Sequence, residues 1–247
     1  MRVSAPAFFC RGEASAKSYG TTVMDQRQSN EQLAALIETR LRTALLCDAM
    51  DERGLLNQAM AEWIRPLAPK VDQVIAGRAA TALFVDVHQR RDNPYEQEIA
   101  FVDSLQPGDV AVVATNASRS NGVWGELMST AARTRGAKAT VTDGLCRDMR
   151  QIVELDYAVY CAGLKPVDSA PRGLLIEHGT TVMCGQVKVN PGDWVVLDID
   201  GVCVIPQEAA SEVVRSALDK ASREQHTKRE LQDGAYLRDV YDRYRVL

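Results

Sequence analysis

Three side chains, Glu126, Arg147 and Asp148, carry the chemistry this sequence could perform. Twenty residues separate Glu126 from the Arg147–Asp148 pair. That gap holds one helix and one strand, so a fold can return the second motif to the side of the first. Asp148 offers a hard oxygen ligand of the kind that magnesium or manganese accepts while keeping several waters. Arg147 supplies a permanent cation able to hold a ketone oxygen and to stabilise the enolate formed from it. The run Gly122-Val123-Trp124-Gly125-Glu126-Leu127-Met128 places glycine just ahead of a helix. The unpaired N–H groups of a first helical turn make a carboxylate or phosphate site. Two carboxylates and a guanidinium around a helix start can hold a divalent cation and a small oxo-acid together, which points to a metal-dependent lyase. Each motif alone has a plainer explanation. Glu126 is then a favourable acid in a first helical turn, Asp148 the N-cap of the helix carrying Met149, Ile152 and Val153, and Arg147 its ion-pair partner.

The totals narrow the classes. A chain of 247 residues with 46% hydrophobic and 25% charged residues is ordinary for one soluble α/β domain. A net charge of −4 argues against nucleic acid as a partner, and no apolar run is long enough to cross a bilayer. The six cysteines, Cys10, Cys47, Cys146, Cys161, Cys184 and Cys203, form no C-x-x-C pair. They read as small buried hydrophobes in a reducing compartment, so a cytoplasmic location is expected. Cys146 beside Arg147 is a candidate thiolate, outweighed by the same reading as buried filler. His88, His178 and His226 lie too far apart for a zinc site. Met1–Val23 holds Arg2, Arg11 and Lys17 against one acid, Glu13. It reads as a disordered extension over residues 1–24, as a targeting peptide, or as sequence upstream of a start at Met24, with residues 25–247 as the folded domain.

The elements that must position the three side chains follow from periodicity. Ser29 and Gln32 resemble a capping box ahead of Leu33, Leu36, Ile37 and Leu41. A helix from about Thr43 to Arg53 stops at Gly54, Gly77–Asp86 reads as a strand, and Pro94 opens the helix of Ile99, Phe101 and Val102. A β-α-β-α-β rhythm follows: Val110–Thr115, helix Glu126–Arg135 ended by Gly136, Ala139–Thr142, helix Asp148–Leu155 and Ala158–Cys161. Val182–Val189, Trp194–Ile199 and Val202–Ile205 read as strands, the last two joined by an Asp200-Gly201 turn, which also explains Asp198 and Asp200 more simply than metal binding. From Glu208 the chain reads as a helical C-terminal arm ending in a segment over Tyr236–Tyr244. Arg119, Ser120 and Asn121 suggest a hydrophilic far wall for the site.

Trp124-Gly125-Glu126-Leu127, the helix Ala131–Gly136, Asp143-Gly144 and Arg147-Asp148 together closely resemble the family of 4-hydroxy-4-methyl-2-oxoglutarate and 4-carboxy-4-hydroxy-2-oxoadipate aldolases, which also contains the RraA regulators of ribonuclease activity. The likeness runs from about Thr43 to the C-terminus, through Ile64-Arg65-Pro66-Leu67, Gly77-Arg78-Ala79 and Asp198–Val202. It implies a single swivelling β/β/α-type α/β domain, assembled as a homotrimer or homohexamer with active sites between subunits. By that resemblance Asp148 ligates Mg²⁺ or Mn²⁺ and Arg147 holds the keto oxygen. Backbone amides near Leu127 and Met128, just past Gly125, take the substrate carboxylate, and Glu126 orients a water for proton transfer. A glutamate from the neighbouring subunit's C-terminal helix completes the site; Glu224 is the match and Glu230 its rival. The implied reaction is that of a class II aldolase, cleaving a 4-hydroxy-2-oxo acid to pyruvate and a second carbonyl compound, with oxaloacetate decarboxylation as a side activity. Two other readings stay open: a non-catalytic regulator that binds a ribonuclease, and a lyase or decarboxylase acting on a sugar-derived acid.

Overall fold

A computed structural model of the protein describes residues 16–246. Contacts divide the chain into two units, Met1–Leu33 and Ala34–Leu247. The described part of the first is the start of helix α1 (Ala16–Arg40). The extension expected over residues 1–24 lies outside the described residues as far as residue 15. Ser29 and Gln32 do not start a helix, because they fall inside α1. A capping box marks a start only where the backbone ahead of it is non-helical, and here that backbone is already helical.

In the second unit α1 is followed by α2 (Thr43–Asp51), β1 (Arg65–Pro66), β2 (Ile75–Asp86), α3 (Glu96–Ser104), β3 (Asp109–Ala114), β4 (Gly122–Trp124) and α4 (Glu126–Thr134). Next come β5 (Ala139–Thr142), β6 (Leu145–Cys146), α5 (Met149–Glu154), β7 (Ala158–Cys161) and β8 (Gly173–His178). Strands β9 (Val182–Cys184), β10 (Val187–Val189), β11 (Trp194–Leu197) and β12 (Val202–Ile205) precede α6 (Ala210–Gln232) and α7 (Leu237–Tyr244). The main sheet runs β1-β7-β5-β3-β2-β11-β12, with β8 added to β2. The twelve-residue β2 is its spine. One edge of β2 pairs in parallel with β3, while the other pairs first with β11 and then, from Ala82 to Asp86, with β8 in a ladder whose register shifts at Leu83/Phe84.

Side-chain alternation divides the core into two layers. On β3, Val110, Val112 and Ala114 join a cluster on one face, and Ala111 and Val113 join a second cluster on the other. The first face is covered by the β9–β10 hairpin through Val182, Cys184, Val187 and Val189. The second is covered by α3, α4 and α5 through Phe101, Val102, Ala132 and Ile152. Hairpin, sheet and helices make the β/β/α layering of an α/β domain. The single strand expected over Val182–Val189 is therefore two, because Gly185 and Gln186 both take positive φ (54° and 67°). Two such residues in a row suit the tight hairpin turn that reverses the chain.

The end of β5 is tied to the end of β3 by one carboxylate. Asp143, 3% exposed, accepts bonds from the Thr115 N–H (2.6 Å), the Thr115 hydroxyl (2.9 Å) and the Ala117 N–H (3.0 Å). Those bonds hold the loop that carries Asn116 and Ala117 at φ 55° and 56° and delivers the chain to β4. Asp143 is thus structural. Asp198 is also committed: its carboxylate accepts from the N–H and hydroxyl of Thr43 at 2.7 Å each, at the start of α2. Replacing Asp143 by Ala strands buried donors, so the variant is expected to lose about 2 kcal/mol of unfolding free energy. Urea unfolding of wild type and Asp143→Ala measures this, and a loss below about 0.5 kcal/mol contradicts the role assigned.

Candidate functional site

Two very short strands build the site. β4 and β6 pair in parallel, Gly122 opposite Leu145 and Trp124 opposite Cys146. The Arg147 N–H continues the ladder by donating to the Trp124 carbonyl at 2.9 Å. Each strand runs straight into a helix, β4 through Gly125 into α4 and β6 through Arg147–Asp148 into α5. Parallel pairing therefore sets the two helix starts side by side. Trp124 fixes the junction: it is fully buried, its Nε1–H donates to the Ser129 hydroxyl (2.8 Å), and that hydroxyl donates to the Gly125 carbonyl (2.9 Å). Gly125 is needed for close approach, since a Cβ there would stand 2.7 Å from Asp148 Oδ2.

Asp148 holds the N-cap position of α5 in the left-handed region (φ 58°, ψ 36°) but makes no side-chain bond to its own helix. Its Oδ2 instead accepts from the Glu126 N–H of α4 at 3.2 Å. The simple N-cap explanation is corrected: the left-handed backbone turns this carboxylate toward the neighbouring helix. The N–H groups of Leu127 and Met128 precede the first turn-closing bond of α4, from the Ser129 N–H to the Gly125 carbonyl (3.0 Å), and Gly125 brings no side chain to cap them. Arg147 spans two acids, with Nε 3.7 Å from Asp148 Oδ2 and Nη2 3.2 Å from Asp168 Oδ1. The ion-pair partner expected from sequence, Asp148, is thus the more distant of two.

Gly125, Glu126, Leu127, Met128, Arg147 and Asp148 all line one cleft of about 720 Å³, a size that suits a small-molecule ligand. Glu224 does not line it; on α6 it accepts from Arg42 Nη2 at 2.6 Å. Glu230 binds Arg243 and accepts from the Tyr244 hydroxyl (2.6 Å). Arg119, Ser120 and Asn121 are not part of the wall either. Arg119 donates to the Ala162 carbonyl (2.9 Å), and Asn121 is fully buried with its Nδ2 on the Ser120 hydroxyl (2.8 Å). The polar wall comes instead from Tyr95, Glu98, Asp168 and Ser169, with the Tyr95 hydroxyl donating to Asp168 Oδ2. Glu98 had a signal in the sequence: it stands three and four residues before Phe101 and Val102, an acid on the buried stripe of an amphipathic helix. Asp168 and Ser169 sit in a loop and had none.

Among the described residues no group of three or more His, Cys, Asp or Glu side chains could cage a metal ion. The donor set fits a different arrangement: Asp148, 41% exposed along its side chain, as the one protein ligand of an ion that otherwise keeps water and a chelating ligand. Magnesium and manganese accept this, whereas a structural zinc does not. Contact with the Cys161 thiol, and then burial, push the Cys146 thiol well above its usual range, so it is core filler.

The family model described as RraA-like, Aldolase/RraA, matches residues 43–204. Protein DlpA of Legionella pneumophila is 24% identical over 230 residues, which are 92% of this chain but only 37% of DlpA. A Halalkalibacterium halodurans protein named "Putative 4-hydroxy-4-methyl-2-oxoglutarate aldolase" is 30% identical over 191 residues, covering 77% of this chain and 85% of that one. Among solved structures, Streptomyces coelicolor RraAS2, titled an unusual member of the RNase ES inhibitor RraA protein family, matches with a TM-score of 0.72 at 28% identity, over 80% of this chain and 96% of that one.

Burial pushes the Glu98 carboxyl up from 4.5 to about 7; a hydrogen bond with Ser169 and the Arg147 charge oppose the rise, and Asp168 adds to it. A carboxyl raised in the folded state holds its proton more tightly there. Its stabilising contribution is complete below the unfolded value and is lost as pH rises through about 7. Glu98→Gln is neutral throughout and lacks that loss. Between about pH 5 and pH 8 the wild type is expected to lose up to about 3 kcal/mol relative to the variant. Denaturant unfolding across that range measures it, and parallel stability curves contradict it.

Proposed function

The chain belongs to the RraA-like aldolase/RraA family, and on that footing we propose that it is a divalent-metal-dependent aldolase releasing pyruvate from a 4-hydroxy-2-oxo acid. One observation carries this reading: Arg147, Asp148 and the uncapped N-terminus of α4 meet in a single cleft. Asp148 would hold Mg²⁺ or Mn²⁺, and the bound ion supplies Lewis-acid polarisation of the 2-oxo group. The Leu127 and Met128 amides, at the positive end of α4, bind the C1 carboxylate. Arg147 donates to the ketone oxygen. When the water held by Glu126 takes the C4 hydroxyl proton and the C3–C4 bond breaks, C4 becomes a carbonyl and the bonding pair passes into the C2–C3 enolate. Negative charge then grows on the oxygen that Arg147 faces, so Arg147 stabilises the transition state more than the substrate. Glu126, partly exposed among the residues lining the cleft, orients the water that returns a proton to C3. The same enolate forms when oxaloacetate loses carbon dioxide, so that side reaction belongs to the proposal.

Exposed apolar side chains on the helices beside the cleft, Ile99 (60%), Leu127 (81%) and Val153 (42%), support a homotrimer or homohexamer that covers them. Glu224 would serve a neighbouring subunit's site only by giving up Arg42. Likeness to RraAS2 supports a second reading as a ribonuclease regulator. No helix among the described residues is long and apolar enough to cross a membrane.

Pyruvate release, followed with lactate dehydrogenase in Mg²⁺ over a panel of 4-hydroxy-2-oxo acids and oxaloacetate, tests the proposal. Asp148→Ala is expected to abolish turnover, and Arg147→Ala to lower kcat/KM about 100-fold or more, the scale of a lost oxyanion donor. No pyruvate from any substrate, together with capture of a ribonuclease, would reverse the ranking of the two readings.

A further inference from the structure

We propose that the substrate's far end, beyond the carbons that react, is an uncharged polyhydroxylated chain bound by Glu98 and Asp168, and not a second carboxylate. The assignment of near and far ends rests on the aldolase reading above; the chemistry of the far wall does not.

Charge is the first argument. The cleft is lined by the acids Glu98, Asp103, Glu126, Asp148 and Asp168, with Arg147 as the one cation among its lining residues. Arg147 is itself divided between Asp148 on one side and Asp168 on the other. Asp148 and the start of α4 make the near side, while Asp168, Glu98, Tyr95 and Ser169 make the far side. Asp103 is already paired with Arg135, so with Glu98 protonated the three carboxylates of Glu126, Asp148 and Asp168 stand against one guanidinium in the cleft lining. A substrate with a second carboxylate at its far end would meet like charge, the kind of juxtaposition that excludes a partner.

An unmet hydrogen-bonding group is the second argument, and it is independent of the first. Glu98 is 7% exposed, lines the cleft, and its buried Oε1 has no hydrogen-bond partner. Buried polar atoms left without a partner are rare and costly. A ligand hydroxyl can both donate and accept, so it supplies the missing bond whether Glu98 is ionised or protonated, whereas an incoming carboxylate can only accept, and only from the protonated acid. Asp168 stands beside it with its carboxylate one-third exposed, oriented by Arg147, by the Tyr95 hydroxyl and by the Ser169 N–H (2.9 Å). Two neighbouring acceptors of this kind match successive hydroxyls on a carbon chain. A site that hydrogen-bonds hydroxyls also discriminates against analogues that lack them.

Gluconate and glucarate make the direct probe, because they differ only in whether the far carbon is a hydroxymethyl group or a carboxylate. In calorimetric titrations of the full chain with Mg²⁺, gluconate is expected to bind at least about tenfold more tightly, the factor expected of like-charge exclusion. Glu98→Gln, which keeps the shape of the wall, is expected to shrink that preference at least about threefold. Glucarate binding as tightly as gluconate, no binding of either, or a preference unmoved by Glu98→Gln each overturns the proposal. A kinetic arm compares pyruvate release from a 3-deoxy-2-oxo-aldonate and from the matching aldarate. Gluconate preferred without pyruvate from either would sink the aldolase reading and leave this inference standing. Pyruvate released faster from the aldarate would do the reverse.

Discussion

The pairing of β4 with β6 is the constraint on which the site depends. These strands have three and two residues, too few to add much stability, yet they set two helix starts beside each other. The ladder is continued by the Arg147 N–H on the Trp124 carbonyl, so the backbone of one motif is bonded to the backbone of the other. Everything nearby protects that contact. Asp143 holds the loop entering β4, Trp124 and Ser129 fix its exit, and a side chain at Gly122 would collide with the Lys165 carbonyl at 2.8 Å.

Asp148 is where the fold accepts local cost for geometry. A left-handed non-glycine residue costs about 1 kcal/mol, although aspartate tolerates that region better than most residues. The return is a carboxylate that faces α4 and the cleft instead of capping α5. Arg147 completes the arrangement by sitting between two acids without being wholly neutralised by either, its side chain 35% exposed. The result is a cation fixed in place yet still open to a ligand oxygen. On the far side, Glu98 keeps a buried oxygen without a partner, the expected form of a group whose partner arrives with the substrate.

Much of this was legible in the sequence. The limits of β5, β7 and β12 fall where alternation and glycine place them, and Gly136, at φ 88°, ends α4 as read. The gathering of Glu126, Arg147 and Asp148 followed from the spacing of the two motifs. The instrument of that gathering did not, because strands of two or three residues carry no detectable period. The far wall was misplaced for a related reason. Arg119 and Ser120 look like site residues by type, but they spend their polar groups on backbone and neighbouring hydroxyls. Asp168 and Ser169 arrive from a loop whose path depends on tertiary contacts, as in the bond from the Gly122 N–H to the Val167 carbonyl. Residues 182–189 read as one strand because Gly185-Gln186 lacks the usual Asn-Gly hairpin signature.

Crystals grown with Mn²⁺ and oxalate, a mimic of the pyruvate enolate, address the central claim most directly through the anomalous signal of the metal. Manganese is predicted about 2.1 Å from an Asp148 carboxylate oxygen, with oxalate seated against the start of α4 and within hydrogen-bonding reach of Arg147. Manganese bound elsewhere, or oxalate out of reach of Arg147, contradicts the account.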